Sequence, residues 1–301
     1  MIPDEVHSQP KAAPSVYRVT PHDLATSGNL AKRRSSHLIF LSTALGTFLV
    51  TANVSTMNVA FPDLEQTFLN TSRGALTWVL NAYTISFAAL LIPAGRLADR
   101  FGRRRVFMLG LAVFAASSLL VGAAPNFLIV VTARVAQGVG GALLTPASLG
   151  LLLAGTPDSM RMATVAKWGS LTALGVATGP AIGSLIVDSF GWRWAFLVLP
   201  PFCLLAYVSG KSALPANAPN DKAPFPDLVG AVLLAIAMAL LAFAIVQVGP
   251  WGWTSSGVIG STILSVLLLG ITFLKGLSHT APALPTNLFR LRSLNMANLA
   301  T

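Results

Sequence analysis

Arg134 is the residue with the most chemistry to do in this chain, because it lies well inside an apolar run, 127–150. A guanidinium at that depth costs about 2.5–3.5 kcal/mol on insertion scales, so it must face a packed interior or a wet cavity and find acceptors there. Gln137, one turn along, can supply one. A buried cation of this kind is a candidate contact for a substrate or a coupled ion; a purely structural hub is the plainer alternative. A second constellation runs from Gly95 to Arg105, where Asp99 sits among Arg96, Arg100, Arg103, Arg104 and Arg105 between two apolar runs. Charge pairing with those arginines is the chemistry open to the acid; arginines that merely fix topology are the simpler reading. Gly95 and Gly102 are expected to supply backbone conformations that a Cβ forbids. A third lies at Gly175, Gly179, Pro180 and Gly183, where glycines four apart permit close helix contact and the proline permits a bend. Ordinary small-residue packing would use the same pattern.

The elements that must position these groups are membrane helices. Hydrophobic residues make up 54% of the chain and charged residues 10%. Apolar runs at about 38–61, 75–94, 106–124, 127–150, 164–187, 194–213, 228–248 and 257–275 approach or exceed the ~20 residues needed to cross a bilayer. They lack the short alternating pattern of barrel strands. The fold class expected is an all-α membrane protein.

The net charge of +10 follows topology rather than nucleic acid. With the N-terminus cytoplasmic, Lys32, Arg33, Arg34, the 96–105 arginines, Arg161, Lys167, Lys211, Lys222, Lys275, Arg290 and Arg292 fall inside, and only Arg73 and Arg193 fall outside. That is the positive-inside asymmetry, and its partner is the lipid bilayer. Residues 1–37, with scattered prolines, read as a disordered cytoplasmic tail. Residues 38–213 read as a compact six-helix bundle, 214–226 as a Pro-rich cytoplasmic linker, and 227–278 as two further spans joined by a Gly-Trp hairpin at 249–255. Residues 279–301 read as a cytoplasmic loop and the start of a truncated ninth span.

These motifs carry a resemblance. The hairpin spacing G-x-L-A-D-R-x-G-R-R over 95–104 resembles the signature between helices 2 and 3 of major facilitator superfamily transporters. Arg134 to Ala142 resembles the family's R-x-x-Q-G-x-G-x-A pattern, and Gly175 to Gly183 its G-x-x-x-G-P-x-x-G antiporter motif. Asn53 to Pro62 is similar to D-x-T-x-x-N-V-A-x-P of the 14-span branch, except that Asn53 stands at the position of the acid. The second span, with Trp78, Asn81 and Tyr83, resembles the family's aromatic-rich helix 2. Six spans, a linker and two more spans look like the N-terminal portion of a 14-span drug:H+ antiporter, with the C-terminal bundle absent.

The resemblance implies an ion-gradient-driven efflux protein of the plasma membrane for drugs or other amphipathic small molecules. It places Arg134, Asn53, Gln137, Asn58 and Tyr83 on the substrate or coupling path, and Gly95, Asp99, Arg100, Gly102, Arg103, Arg104, Gly175, Gly179, Pro180 and Gly183 in conformational gating. Two alternatives stand beside it: a non-transporting remnant, and uptake of a small metabolite. Proton or cation coupling has no obvious carrier, because the acids Asp4, Glu5, Asp23, Asp63, Glu65, Asp99, Asp158, Asp188, Asp221 and Asp227 all lie in tails, loops or helix ends. His7, His22, His37 and His279 are equally peripheral. There is no phosphate-binding loop, no H-E-x-x-H and no Cys/His cluster, so neither an enzyme, a cofactor nor a metal is expected. Cys203 is single and cannot form an intrachain disulfide.

Overall fold

The computed structural model describes residues 21–214 and 227–278, and every regular element among them is a helix. The first, α1 (Pro21–Thr67), begins inside the stretch 1–37 expected to be a disordered tail. Proline suits a first helical turn, and the following Ala, Leu, Lys and Arg residues favour helix, so the turn geometry extends back from the apolar span. Residues 1–20 lie outside the described set, as do 215–226 of the expected linker and all of 279–301 with its expected ninth span.

The remaining elements follow from caps and glycines. Short α2 (Arg73–Leu76) starts where the Ser72 hydroxyl accepts from the Ala75 amide at 3.3 Å, satisfying a donor that the helix itself cannot. It leads into α3 (Trp78–Phe101). Gly102 alone separates α3 from α4 (Arg103–Gly122), with φ 95°. Asn126 caps α5 (Phe127–Ala154) through a 3.0 Å bond from the Ile129 amide. After one 3-10 turn, α6 (Arg161–Phe190) ends at Gly191, φ 84°. Short α7 (Trp194–Leu197) and α8 (Leu199–Ala213) complete the sixth span. Asp227 caps α9 (Leu228–Trp251), and Gly252, φ 78°, turns the chain into α10 (Ser256–Ser278). Among the described residues eight segments are long and apolar enough to cross a membrane, matching the eight runs in the sequence.

In lipid the hydrophobic effect does not drive helices together, so close packing and buried hydrogen bonds must. The central helix is α5, which packs on α3 and α4, while α1 packs on α6 and α8. A Cβ at Gly140 would lie 2.7 Å from the Phe114 backbone nitrogen, and one at Gly138 2.6 Å from the Tyr83 carbonyl oxygen. Glycine here lets α5 touch α4 and α3 backbone to backbone. Met57, Leu64, Phe107, Leu111, Phe114, Leu144 and Leu151 fill the core between them.

The last two helices form a hairpin of their own. Ser265 Oγ donates to the Ala237 carbonyl at 2.8 Å, and Lys275 Nζ pairs with Asp227 at 2.7 Å where the two helices begin and end. Trp78 stacks on Phe243, centroids 5.8 Å apart, as α9 lies against α3.

Candidate functional site

Arg134 binds four helices together. Its Nη1 donates to Asn53 Oδ1 on α1 at 2.7 Å and to Gln137 Oε1 on α5 at 2.6 Å, while Nε donates to the Val79 carbonyl on α3 at 2.9 Å. Gln137 passes the chain on, its Nε2 donating to Ser118 Oγ on α4 at 2.7 Å, and Ser118 in turn donates to the Phe114 carbonyl at 2.6 Å. The guanidinium lies 4.4 Å from the Tyr83 ring centroid and 5.7 Å from that of Phe196, which adds cation–π attraction in a dry setting. Tyr83 is held by its hydroxyl donating to the Val50 carbonyl at 3.3 Å. Arg134 is only 1% exposed, so the charge is matched entirely by amide dipoles and ring faces.

Of the five residues expected on a substrate path, this geometry gathers four: Arg134, Asn53, Gln137 and Tyr83. Asn58 is elsewhere. It is exposed on α1, its side chain donating to the Val54 carbonyl at 3.4 Å.

The 95–105 hairpin is tied inward. Arg103 donates from Nε (3.2 Å) and Nη2 (3.0 Å) to Asp99 Oδ1, and from Nη1 to the Gly150 carbonyl at 2.9 Å. A Cβ on Gly150 would sit 2.6 Å from Arg103 Cδ, so a glycine makes room for that reach. Arg104 Nη2 donates to the Lys211 carbonyl in the last turn of α8 at 2.8 Å. Both cations thus lie near C-terminal helix ends, where carbonyls need donors and the dipole favours positive charge. Asp99 keeps 59% of its side chain exposed.

Gly102 adopts the left-handed conformation expected of it, but Gly95 does not. Gly95 lies inside α3, without positive φ, and a Cβ there would meet Pro146 at an ordinary 3.7 Å. The helix simply continues through it to Phe101, so the turn is a single residue.

Gly175, Gly179 and Gly183 form one face of α6 and meet α1 in the same bundle. Cβ atoms there would strike Thr51, Ser55 (2.7 Å) and Thr56 (2.9 Å) respectively. Thr56 Oγ1 donates to the Gly179 carbonyl at 3.1 Å. The helix runs unbroken through Pro180.

Two contributors were missed from sequence. Ser118 closes the Arg134 network, and the signal for it was a Ser117-Ser118 pair inside an apolar run. Trp168 donates from Nε1 to both Thr47 and Ser148 at 3.2 Å, and those hydroxyls lie 3.0 Å apart, joining α6, α1 and α5.

The described residues form a helical bundle with eight membrane-length spans and a buried arginine at its centre, which defines a polytopic membrane protein. The sequence pattern of the Major Facilitator Superfamily matches residues 43–280, and the chain belongs to that family, whose members are transporters rather than enzymes. The chain is 33% identical over 270 residues to the methylenomycin A resistance protein of Bacillus subtilis, covering 89% of this chain and 57% of that protein. It is 34% identical over 251 residues to the tetracenomycin C resistance and export protein of Streptomyces glaucescens (83% and 46%). With the multidrug resistance protein Stp of Mycobacterium tuberculosis it shares 34% over 229 residues (74% and 41%). The chain spans about half the length of the curated relatives it matches. A solved transporter of the POT family, in complex with a thioalcohol-conjugated peptide, shares the fold: TM-score 0.60 at 16% identity, over 82% of this chain and 53% of that one.

Proposed function

We propose that this chain supplies one six-helix lobe and an adjoining two-helix hairpin of a 14-span exporter of drug-like amphipathic molecules. What carries this reading is the pairing of that architecture, six spans and then a hairpin on α3, with relatives named for drug resistance and export. The lobe sits in the plasma membrane with its N-terminus and the 95–105 hairpin cytoplasmic, as the positive charge there supports. Arg134, Asn53, Gln137 and Tyr83 brace α1, α3, α4 and α5 into a unit that moves as one body, and Asn58 on the exposed face of α1 presents a polar group to the substrate path. Asp99, with Arg100, Arg103 and Arg104, stabilises one conformational state from the cytoplasmic end. Gly95, Gly102 and the α6 face of Gly175, Gly179, Pro180 and Gly183 set how closely the moving helices pack. Export is driven by a proton or cation gradient.

The test is dye accumulation in an efflux-deficient bacterium expressing the chain. Lower accumulation that an uncoupler restores is the expected result; accumulation equal to that of cells lacking the chain rejects export by this polypeptide. Asn53 favours a second reading, a membrane interaction partner that transports nothing, because an amide cannot carry a proton at that position. Under that reading the accumulation test is silent while the folded chain is still recovered from the membrane.

A further inference from the structure

The end of the bundle opposite the 95–105 hairpin carries an open cavity of about 330 Å³ that none of the contacts above uses. Asp63, Gln66 and Thr67 from the end of α1 form one wall; Gly191, Trp192 and Arg193 from the turn after α6 form the other. The volume lies within the range of small-molecule sites.

The walls are fixed from within the protein. Thr67 Oγ1 accepts from Trp192 Nε1 at 2.9 Å and donates to the Asp63 carbonyl at 2.9 Å, lacing α1 to the turn. Trp192 is buried against Phe68 and Phe196, each 6.2 Å away between centroids. Arg193 donates from Nη2 to the Ala124 carbonyl at 3.1 Å and lies 4.6 Å over the Trp192 ring. A Cβ on Gly191 would meet nothing within 4 Å.

The charges are what distinguish the cavity. Asp63 and Arg193 share it without pairing with one another; the ion pairs among the described residues are Glu65–Arg73, Asp99–Arg103, Asp158–Arg161 and Asp227–Lys275. Neighbouring Glu65 is therefore taken, and Asp63 is not. One carboxylate and one guanidinium face a common space with bonding capacity to spare. A second observation fixes the level of the site. Phe190 is 68% exposed and Trp194 51%, their rings 6.0 Å apart beside the cavity mouth, and exposed aromatics at a span end mark the membrane–water boundary.

We propose that this cavity binds a zwitterionic amine–anion group, its ammonium on Asp63 and its phosphate on Arg193, supplied by an aminophospholipid headgroup. Phosphoethanolamine carries both charges a few bonds apart, and the exposed Phe190 and Trp194 rings give the lipid that bears it an apolar edge at the mouth. A free, water-soluble zwitterion has the same polar chemistry but no use for the aromatic rim.

The full chain, purified in detergent, is examined by native mass spectrometry with phosphatidylethanolamine or phosphatidylglycerol added at equal concentration, and by calorimetric titration with O-phosphoethanolamine. The expected result is preferential retention of phosphatidylethanolamine, reduced about tenfold in Asp63→Asn through loss of one charge-assisted contact. Arg193→Gln reduces it as well, but also loses the Ala124 bond, so Asp63→Asn is the deciding variant. Binding of O-phosphoethanolamine that depends on Asp63, without lipid preference, assigns the same site to a soluble zwitterion. Equal retention of both lipids with no O-phosphoethanolamine binding, or binding unchanged in Asp63→Asn, overturns the proposal.

Discussion

Arg134 on α5 and Asn53 on α1 are joined by a 2.7 Å bond from Nη1 to Oδ1, and Asn53 occupies the position at which the resembling motif carries an acid. The guanidinium is therefore neutralised by no carboxylate. Amide oxygens, a backbone carbonyl and two aromatic rings solvate it instead, which holds a charge in a dry interior only while every one of those partners is in place.

Arg134→Ala follows directly. It strands the Asn53 and Gln137 oxygens, removes the second donor to the Val79 carbonyl and leaves a void between Tyr83 and Phe196. Unmade buried hydrogen bonds and cavity formation together cost about 3–5 kcal/mol. The expected outcome is a chain that still inserts, since α5 becomes more apolar, but melts at clearly lower temperature in detergent and exports no dye. Thermal unfolding alongside the accumulation assay checks both; an unchanged midpoint would refute the brace.

Asn53→Asp probes the same contact in the opposite direction. The side chain keeps its shape and becomes a carboxylate beside Arg134, turning an amide bond into an ion pair with hydrogen-bonding geometry already set. The melting midpoint should hold or rise, and the uncoupler-sensitive part of dye export should increase. Export with the same uncoupler sensitivity as the parent would remove this position from the coupling route.

How much of this was legible beforehand depends on the range of the contact. Span number followed from run length, and the need of Arg134 for acceptors followed from depth alone. Its acceptors did not: Asn53 and Val79 lie 81 and 55 residues away in sequence, and only the packed bundle brings them near. Asn53 and Asn58 were grouped as one path, although five residues turn a helix by about 140° from one face to another; with Asn53 inside, Asn58 had to face out. The glycine stripe of α6 was readable as a contact face. That α1 would fill it was not, because four-residue spacing names a face and never its neighbour.

That stripe gives a graded prediction. A methyl at Gly179 meets Ser55 Cβ at 2.7 Å and the Ala52 carbonyl at 3.0 Å, atoms that cannot swing aside. Gly179→Ala should push α6 from α1, lengthen the Thr56 bond and cost about 1–3 kcal/mol. Gly169→Ala on the same helix meets nothing within 4 Å and should hold or slightly raise the melting midpoint, since alanine favours helix. Equal loss at both positions would mean that α1 and α6 are not in contact there.

The two hairpin glycines give the last contrast, because the resembling motif treats them alike and the structure does not. Gly102 is the entire connection between α3 and α4, at φ 95° and ψ 126°, a region closed to side chains, so Gly102→Ala carries strain of about 1–3 kcal/mol. The chain relieves it only by opening the turn, which displaces Arg103 from the Gly150 carbonyl and Arg104 from the Lys211 carbonyl. Gly95→Ala adds a methyl 3.7 Å from Pro146, an ordinary contact within a helix that alanine favours. The expected pattern is a lowered melting midpoint and poor recovery from the membrane for Gly102→Ala, against a midpoint equal to or above the parent for Gly95→Ala. Protease nicking near residue 102 in the first variant alone would locate the opened turn, whereas equal tolerance of both substitutions would show that the connection is longer and looser than one residue.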